Sequence, residues 1–214
     1  MEQLKEWEDG ITPDPEATLD ICRQVCTIID GKEQTSVLQL MVGTVAQESN
    51  FKYVRQIGFG LVNAPDEPDE SADTRGAFGI CQVEVDSALD FYHNWHRMKE
   101  TGSAWPGMAE IWQEAMVTES GASLASSWGR LKLSLDYFVP GRSEVGYYLQ
   151  HHHKLALAFC RLKYKRDSQS VPEDLQGIAE YWKRVYNTSF GAGHPEEFIE
   201  NWHRFELDDL DWDG

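Results

Sequence analysis

Hydrophobic positions recur with helical spacing along most of the chain, and the first clear case lies in residues 12–31. Asp14 is a favourable N-cap, and Pro15 fits the first turn of a helix, where its missing N–H is not needed. Gly31 follows the last hydrophobic position and provides a C-terminal stop. These signals predict a helix that begins just after Asp14 and ends at Gly31.

A second helix is predicted over residues 35–49, where Ser36 and Gln39 have the spacing of a capping box. Four hydrophobic side chains form one stripe along this helix: Leu38, Met41, Val42 and Val45. The next position on the same stripe is Glu48, a carboxylate where a core residue is expected. Because a carboxylate facing a core is poorly solvated, we expect its pKa to rise.

The rest of the pattern is also mostly helical. Residues 60–77 are rich in acidic residues and prolines and are predicted to form a long loop, of a kind that is often functional. Helical spacing returns in residues 143–166 and predicts one long helix. No strong run of alternating strand residues is present. The predicted fold class is therefore mainly α, with at most a short β-hairpin near residues 55–83.

Length and charge narrow the possible functions. The chain has 214 residues, which fits a single domain over residues 1–205 and an acidic C-terminal tail over residues 206–214. We expect the tail to be mobile or to dock on a partner. The formal net charge of -17 disfavours direct binding to nucleic acid or to an anionic membrane. No apolar run in the sequence approaches the length of a transmembrane helix.

The chain contains four cysteines: Cys22, Cys26, Cys81 and Cys160. Its N-terminus lacks the basic and apolar regions of a signal peptide, so we expect four reduced thiols that pack in the core. The consecutive histidines at 151–153 point in three directions on a helix and cannot form one metal site. The sequence therefore predicts neither a metal nor a cofactor.

Glu48 admits two interpretations. A carboxylic acid that burial keeps protonated near neutral pH is suited to general acid catalysis. Alternatively, the helix frays at its end and Glu48 turns out to solvent. Position alone favours the second interpretation, and motifs elsewhere in the chain favour the first.

Three short motifs follow one another along the chain: Glu48–Ser49 at a helix end, Gly79–Ile80–Cys81–Gln82 after the acidic loop, and Tyr186–Asn187. In this order they resemble the motifs of the lysozyme-like superfamily, especially the lytic transglycosylases and goose-type lysozymes. The segments ESNFKYVRQIG, GAFGICQVE and AEYWKRVYNTSFGAGHPEEF look closest to phage-encoded, virion-associated members. Two departures concern substrate preference. Cys81 stands where many members have Met or Trp, and Val85–Asp86–Ser87 replaces a Pro-x-Thr segment.

The resemblance implies a lysozyme-like fold and an enzyme that cleaves the β-1,4 bond between MurNAc and GlcNAc in peptidoglycan. Glu48 would be the catalytic acid. In a lytic transglycosylase, the same carboxylate then acts as base on the sugar's own 6-hydroxyl and a 1,6-anhydro product forms. Ser49 and Gln82 would bind the sugar or its acetamido group. Tyr186 would hydrogen-bond Glu48 or the substrate, and Asn187 would hold that corner of the site together.

A goose-type hydrolase would instead use a second carboxylate to place water. Glu84 lies two residues beyond Gln82, on the same side of an extended segment, and is one candidate within the predicted substrate site. Asp73 in the acidic loop is another candidate. The simpler interpretation of Asp73 is that of an ordinary residue in a solvated loop.

The resemblance further implies a phage product whose partners are peptidoglycan glycan strands and other virion proteins. It would be made in the host cytoplasm, carried in the phage virion, and act in the periplasm or cell wall so that the genome can cross. Two alternatives stand beside this one: a muramidase endolysin for host lysis, and a structural tail or core protein on a lysozyme-like scaffold. An enzyme should bring Glu48, Gln82 and Tyr186 to one groove, with the loop of residues 60–77 at its rim.

Overall fold

The part of the chain that the computed structural model describes is mainly helical, which confirms the predicted fold class. It comprises residues 12–52, 76–100, 108, 111, 142–189 and 191–213. The helices that it defines are Pro15–Asp30 (α1), Thr35–Ser49 (α2), Val85–Glu100 (α3), Arg142–His151 (α4), His153–Lys165 (α5), Leu175–Trp182 (α6) and Pro195–Arg204 (α7). One antiparallel hairpin pairs Ala77–Phe78 (β1) with Val83–Glu84 (β2). In these ranges, no helix is long and apolar enough to cross a membrane.

Helix α1 begins and ends as its sequence predicts. The Asp14 carboxylate accepts a hydrogen bond from the Ala17 N–H at 2.8 Å. At the other end, the Gly31 N–H donates to the Thr27 carbonyl at 3.1 Å. Gly31 has a φ of 69°, the left-handed conformation in which a helix often ends.

Helix α2 lies at the centre of the structure and is buried on nearly every face. Its buried residues include the predicted stripe and also residues on the other sides: Leu40, Gly43, Thr44 and Ala46. Helices α1, α5, α6 and α7 all pack against it. Gly43 allows α7 to approach closely, since a Cβ there would lie 2.3 Å from the Phe198 ring. A helix surrounded in this way is hydrophobic on all sides rather than along one stripe.

The start of α2 differs from the prediction. Gln34 occupies the N-cap position, and the helix begins at Thr35 without a side-chain cap. Ser36 therefore lies within the first turn, where it is buried and accepts a hydrogen bond from the Gln34 side-chain amide at 3.4 Å. The capping box of Ser36 and Gln39 is wrong, because Ser36 is already part of the helix.

The hairpin turn packs where two helices meet. The spacing predicts one long helix over residues 143–166, and this prediction is wrong. The helix is interrupted between α4 and α5 at His152, whose φ and ψ are -121° and 89°. Gly79 in the turn has a φ of 72°. A Cβ there would lie 2.4 Å from the Leu149 carbonyl oxygen and 2.9 Å from the Ala156 Cβ, on the two sides of the break. Only a glycine lets the turn come this close.

Helix α6 continues without interruption into a π-helical segment, Lys183–Asn187. Segments of this kind are rare and are often found at functional sites. Within it, Tyr186 points into the core and is 4% exposed.

The acidity of the C-terminal tail predicts that it is mobile or docks on a partner. In the structure it packs against other parts of the same chain. Trp212 stacks on Trp202 of α7, with ring centroids 5.4 Å apart, and its indole donates to the Leu207 carbonyl at 3.1 Å. Arg23 of α1 donates to the Asp211 carbonyl at 2.6 Å. These contacts hold the tail against α1 and α7.

All four cysteines are buried free thiols, as predicted. Burial raises the pKa of Cys26 to about 12 and raises the pKa of Cys22 and Cys81 well above its usual value. A thiol that stays neutral is a poor nucleophile, so these residues act as small core side chains.

Replacing Gly79 with alanine tests the close approach of the hairpin turn. We expect the free energy of unfolding to fall by about 3 kcal/mol or more, because the added Cβ meets the Leu149 carbonyl and the backbone φ is strained. Gly31→Ala is the matched control, since Gly31 has a similar φ but no atom within 4 Å of the added Cβ. It should lose only about 1–2 kcal/mol. Equal losses in urea unfolding would contradict the tight packing of the turn.

Candidate active site

Glu48 is the penultimate residue of α2, and its position disfavours a negative charge. The last carbonyl groups of a helix carry partial negative charge, which repels a carboxylate. Its side chain is also half-buried, so that water reaches only part of it. The helix runs on through Ser49 and is capped by Asn50, whose N–H donates to the Ala46 carbonyl. Glu48 is therefore held at the end of a formed helix and does not turn out through fraying.

A tryptophan holds the carboxylate. The Trp182 indole N–H donates to Glu48 Oε1 at 3.1 Å, and Trp182 is itself fully buried at the end of α6. Burial raises the pKa of Glu48 to about 7, although the Trp182 hydrogen bond and the positive charge of Lys163 lower it. Glu48 thus keeps its proton to a higher pH than an ordinary glutamate, as a general acid near neutral pH requires.

The turn between β1 and β2 presents Gln82. Its φ of 48° is uncommon for a residue with a side chain. Both its backbone N–H and its side-chain amide donate to the Gly79 carbonyl at 2.9 Å, which fixes the turn. Ile80 and Cys81 of the same turn are fully buried, whereas Gln82 is partly exposed. Gln82 is thus the side chain of this turn that a ligand can reach.

Tyr186 connects the turn to the π-helical segment. Its hydroxyl donates to the Cys81 carbonyl at 2.6 Å, so the predicted hydrogen bond to Glu48 is not formed. Burial raises the pKa of Tyr186, and the negative charge of Glu48 is one of several that add to this. Tyr186 therefore holds the turn in place, and its buried hydroxyl is not offered to a ligand.

Two further predicted site residues, Ser49 and Asn187, make hydrogen bonds within the chain. Ser49 is 1% exposed, and its hydroxyl donates to the Val45 carbonyl at 3.0 Å. The helix end thus uses the hydroxyl as a donor, and sugar binding by Ser49 stays a prediction. The Asn187 side chain accepts a hydrogen bond from the Lys183 ammonium at 2.7 Å, and the same ammonium donates to the Gly191 carbonyl at 2.8 Å. Asn187 thus closes the loop that follows the π-helical segment.

The second-carboxylate candidates are placed differently. Glu84 lies at the end of β2, opposite Ala77, and its side chain is exposed. Burial lowers the pKa of Lys163, and the negative charge of Glu84 is one of the effects that oppose this. Asp73 lies outside the described residues, as does most of the loop of residues 60–77 that is predicted to form the groove rim.

Two residues that shape this site are missed by the sequence reasoning: Trp182 and Lys163. Trp182 precedes Tyr186 by four residues, so both lie on one helical face, and this spacing was a usable signal. Lys163 follows Phe159 by one turn on an otherwise apolar face of α5, where a lysine resembles an ordinary edge residue. Its partners come from distant parts of the chain and are visible only in the folded structure.

Positive φ angles occur in or next to the elements of this site. Among the described residues, five other than glycine have a positive φ, and four of them adjoin the elements of this site: Asn50, Phe51, Gln82 and Thr188. Thr188 combines a φ of 66° with a ψ of 173°, a region that β-branched residues rarely occupy. Such residues persist only where the surrounding structure holds them, and they cluster at functional sites.

The chemistry that this arrangement supports is proton transfer. Glu48 is a carboxyl whose pKa is raised to about 7, and Gln82 is a partly exposed amide. Trp182 donates a hydrogen bond to Glu48, and Tyr186 holds the turn of Gln82. In the part of the chain that the structure covers, no group of three His, Cys, Asp or Glu side chains is placed to hold a metal ion.

Glu48→Gln should stabilise the folded protein at pH 8 and change its stability little at pH 4. The pKa of Glu48 is about 7 when folded, against 4.5 for an unperturbed glutamate. Stability is therefore lost as the pH rises from 4.5 through 7, by up to about 3 kcal/mol, because the folded state must hold a poorly solvated charge. Glutamine removes that charge. Urea unfolding at both pH values measures the difference.

Glu180→Gln, at an exposed position of α6, is the matched control for this charge change. It should give no comparable gain at pH 8. If Glu48→Gln is no more stable than the wild type at pH 8, Glu48 is not held as a high-pKa acid.

The chain matches no protein-family model, no curated protein and no solved structure. What the site does is therefore inferred from its own side chains and from the three ordered motifs.

Proposed function

We propose that this protein cleaves the glycan strand of peptidoglycan at the β-1,4 bond between MurNAc and GlcNAc, with Glu48 as the general acid. One observation carries this proposal. Glu48 is a half-buried carboxyl whose pKa is raised to about 7, and it is oriented by the Trp182 indole at 3.1 Å. A surface glutamate would be ionised at neutral pH and could not protonate a leaving group.

The reaction follows from the acid. Glu48 gives its proton to the bridging oxygen as the glycosidic bond breaks and positive charge develops at the anomeric carbon. The carboxylate that remains then accepts the proton of the sugar's own 6-hydroxyl, whose oxygen bonds to the anomeric carbon. The products are a 1,6-anhydro sugar and a free 4-hydroxyl on the neighbouring residue, and Glu48 is protonated again.

The surroundings of Glu48 divide into groups that meet the substrate and groups that support the site. Gln82 is partly exposed and belongs to the first kind, because an amide can hydrogen-bond the acetamido group of either sugar. The contacts of Ser49, Tyr186 and Asn187 within the chain favour the second kind. Glu84 is exposed at the end of β2, and in a hydrolytic variant of the reaction it would place the attacking water.

The biological setting of the proposal rests on the resemblance to phage virion-associated lytic transglycosylases. In that setting the enzyme is carried in the virion with other virion proteins and opens the cell wall for the genome. The acidic net charge of -17 is compatible with a neutral glycan polymer as substrate. A muramidase endolysin would use the same site at a different stage of infection.

Digestion of purified sacculi tests the proposal. The wild type should release muropeptides, and Glu48→Gln should lower the rate by about 100-fold or more while the protein stays folded. Glu180→Gln, which makes the same change at an exposed position of α6, should keep the wild-type rate.

Mass spectrometry of the released muropeptides distinguishes the variants of the reaction. Anhydro ends support the transglycosylase, and reducing ends indicate a hydrolase. If folded wild-type protein releases nothing from sacculi, or if Glu48→Gln cleaves at the wild-type rate, the proposed activity is rejected and a structural virion protein becomes the better interpretation.

A further inference from the structure

Lys163 is a half-buried lysine whose ammonium is held in one place. It lies on α5 and donates a hydrogen bond to the Tyr186 backbone carbonyl at 2.9 Å. The same ammonium lies 3.9 Å from the centre of the Tyr186 ring, on its face. A buried lysine loses hydration and rotamer freedom, so its position needs compensating contacts.

The Tyr186 contacts provide part of that compensation. The π-helical segment ends at Asn187, and the last carbonyls of a helix have no partner within it. A cation at this end is favoured by the helix dipole, and a second attraction comes from the face of the tyrosine ring. These contacts fix where the positive charge lies, but they do not balance it.

Two further contacts link the elements that hold this charge to the helix that carries Glu48. Thr44, one turn before Glu48 on α2, is hydrogen-bonded to the Tyr164 hydroxyl at 2.6 Å, and Tyr164 directly follows Lys163. On the other side, Trp182 donates to Glu48, and Tyr186 lies one turn beyond Trp182. The helix end that carries Glu48 and the turn of α5 that carries Lys163 are thus joined twice.

We propose that Lys163 is a positioning residue that acts as the built-in counter-charge of Glu48. Its ammonium, held on the carbonyl and ring of Tyr186, stabilises the carboxylate that remains once Glu48 has given up its proton. The catalytic meaning of this inference rests on the proposed function, whereas the pairing of the two charges does not.

The reaction needs such a charge because Glu48 must work in both protonation states. Burial favours the protonated form, which is the acid of the first step. The second step needs the ionised form, and a half-buried carboxylate without a nearby cation is costly to generate. A lysine at this position lowers that cost without making a direct contact that would displace the Trp182 hydrogen bond.

The charges around both groups are consistent with this role. The positive charge of Lys163 lowers the pKa of Glu48, against the larger effect of burial. Burial lowers the pKa of Lys163, and several groups from the elements packed around it act on its charge as well: Glu48 of α2, Glu84 of β2 and Cys160 of α5 raise its pKa, and Arg166 lowers it. Of the two carboxylates, Glu48 is half-buried and Glu84 is exposed, so solvent screens Glu84 more strongly.

Titration of the Glu48 side-chain carboxyl by carbon-13 NMR tests the pairing on the folded protein. Glu48→Gln identifies the resonance. In Lys163→Met the titration midpoint of Glu48 should move to higher pH, because the cation that favours ionisation is gone. Lys163→Arg keeps the charge and should leave the midpoint near its wild-type value. An unchanged midpoint in a folded Lys163→Met protein overturns the proposal.

A reciprocal measurement tests the pairing even if Lys163→Met does not fold. Coupling between two sites is mutual, so Glu48 must act on Lys163 as Lys163 acts on Glu48. The side-chain nitrogen of Lys163, followed by nitrogen-15 NMR, should titrate at lower pH in Glu48→Gln than in the wild type. An identical midpoint in the two proteins rejects the pairing.

Cleavage of sacculi then separates this inference from the proposed function. If the wild type cleaves, Lys163→Met should lose maximal rate and the alkaline limb of its pH profile should move to higher pH, because the acid keeps its proton longer. Lys163→Arg should restore both. A pH profile unchanged in Lys163→Met rejects the role of Lys163 while the proposed function stands. If the wild type does not cleave, the proposed function fails and the two titrations alone decide the pairing.

Discussion

The burial of helix α2 on nearly every face is the constraint on which the site depends. A helix packed between α1, α5, α6 and α7 has little exposed surface for a charged residue, and the chain places Glu48 at its last turn. The same packing that stabilises the fold thus removes water from a carboxyl and raises its pKa. Trp182 and Lys163 moderate this effect without cancelling it. The raised pKa of Glu48 thus follows from the packing of the core, and Glu48 lies where the core meets the surface.

Hydrogen bonds between distant parts of the chain fix the rest of the site around that acid. The Tyr186 hydroxyl on the Cys81 carbonyl joins the π-helical segment to the hairpin turn, across 105 positions of sequence. Gly79 lets the turn enter the break between α4 and α5. These contacts are buried and depend on direction, so they fix the position of each element. Gln82, with its positive φ, lies in the turn that this network holds.

Local sequence signals predict most of the helices. Where the predictions from these signals are wrong, contacts between distant parts of the chain give the reason. The cap at Asp14, the stop at Gly31 and the unusual place of Glu48 can all be read from the sequence, because each depends on residues within one turn. The break at His152 is packed against Gly79, about 70 residues earlier, and the spacing within a single helix carries no information about such a contact. Ser49 is a similar case, since a hydroxyl at a helix end looks the same whether it binds a ligand or its own backbone. The roles of Trp182 and Lys163 likewise appear only when α2, α5 and α6 meet.

The central claim is that the fold keeps Glu48 as a proton donor near neutral pH, and the ionisation of this one side chain in the wild-type protein tests it most directly. Carbon-13 NMR of the Glu48 carboxyl across the pH range gives the midpoint without reference to substrate or activity. The structure predicts a midpoint of about 7. A midpoint near 4.5, the value of an unperturbed glutamate, would contradict the account, since Glu48 would then be an ordinary ionised carboxylate at neutral pH.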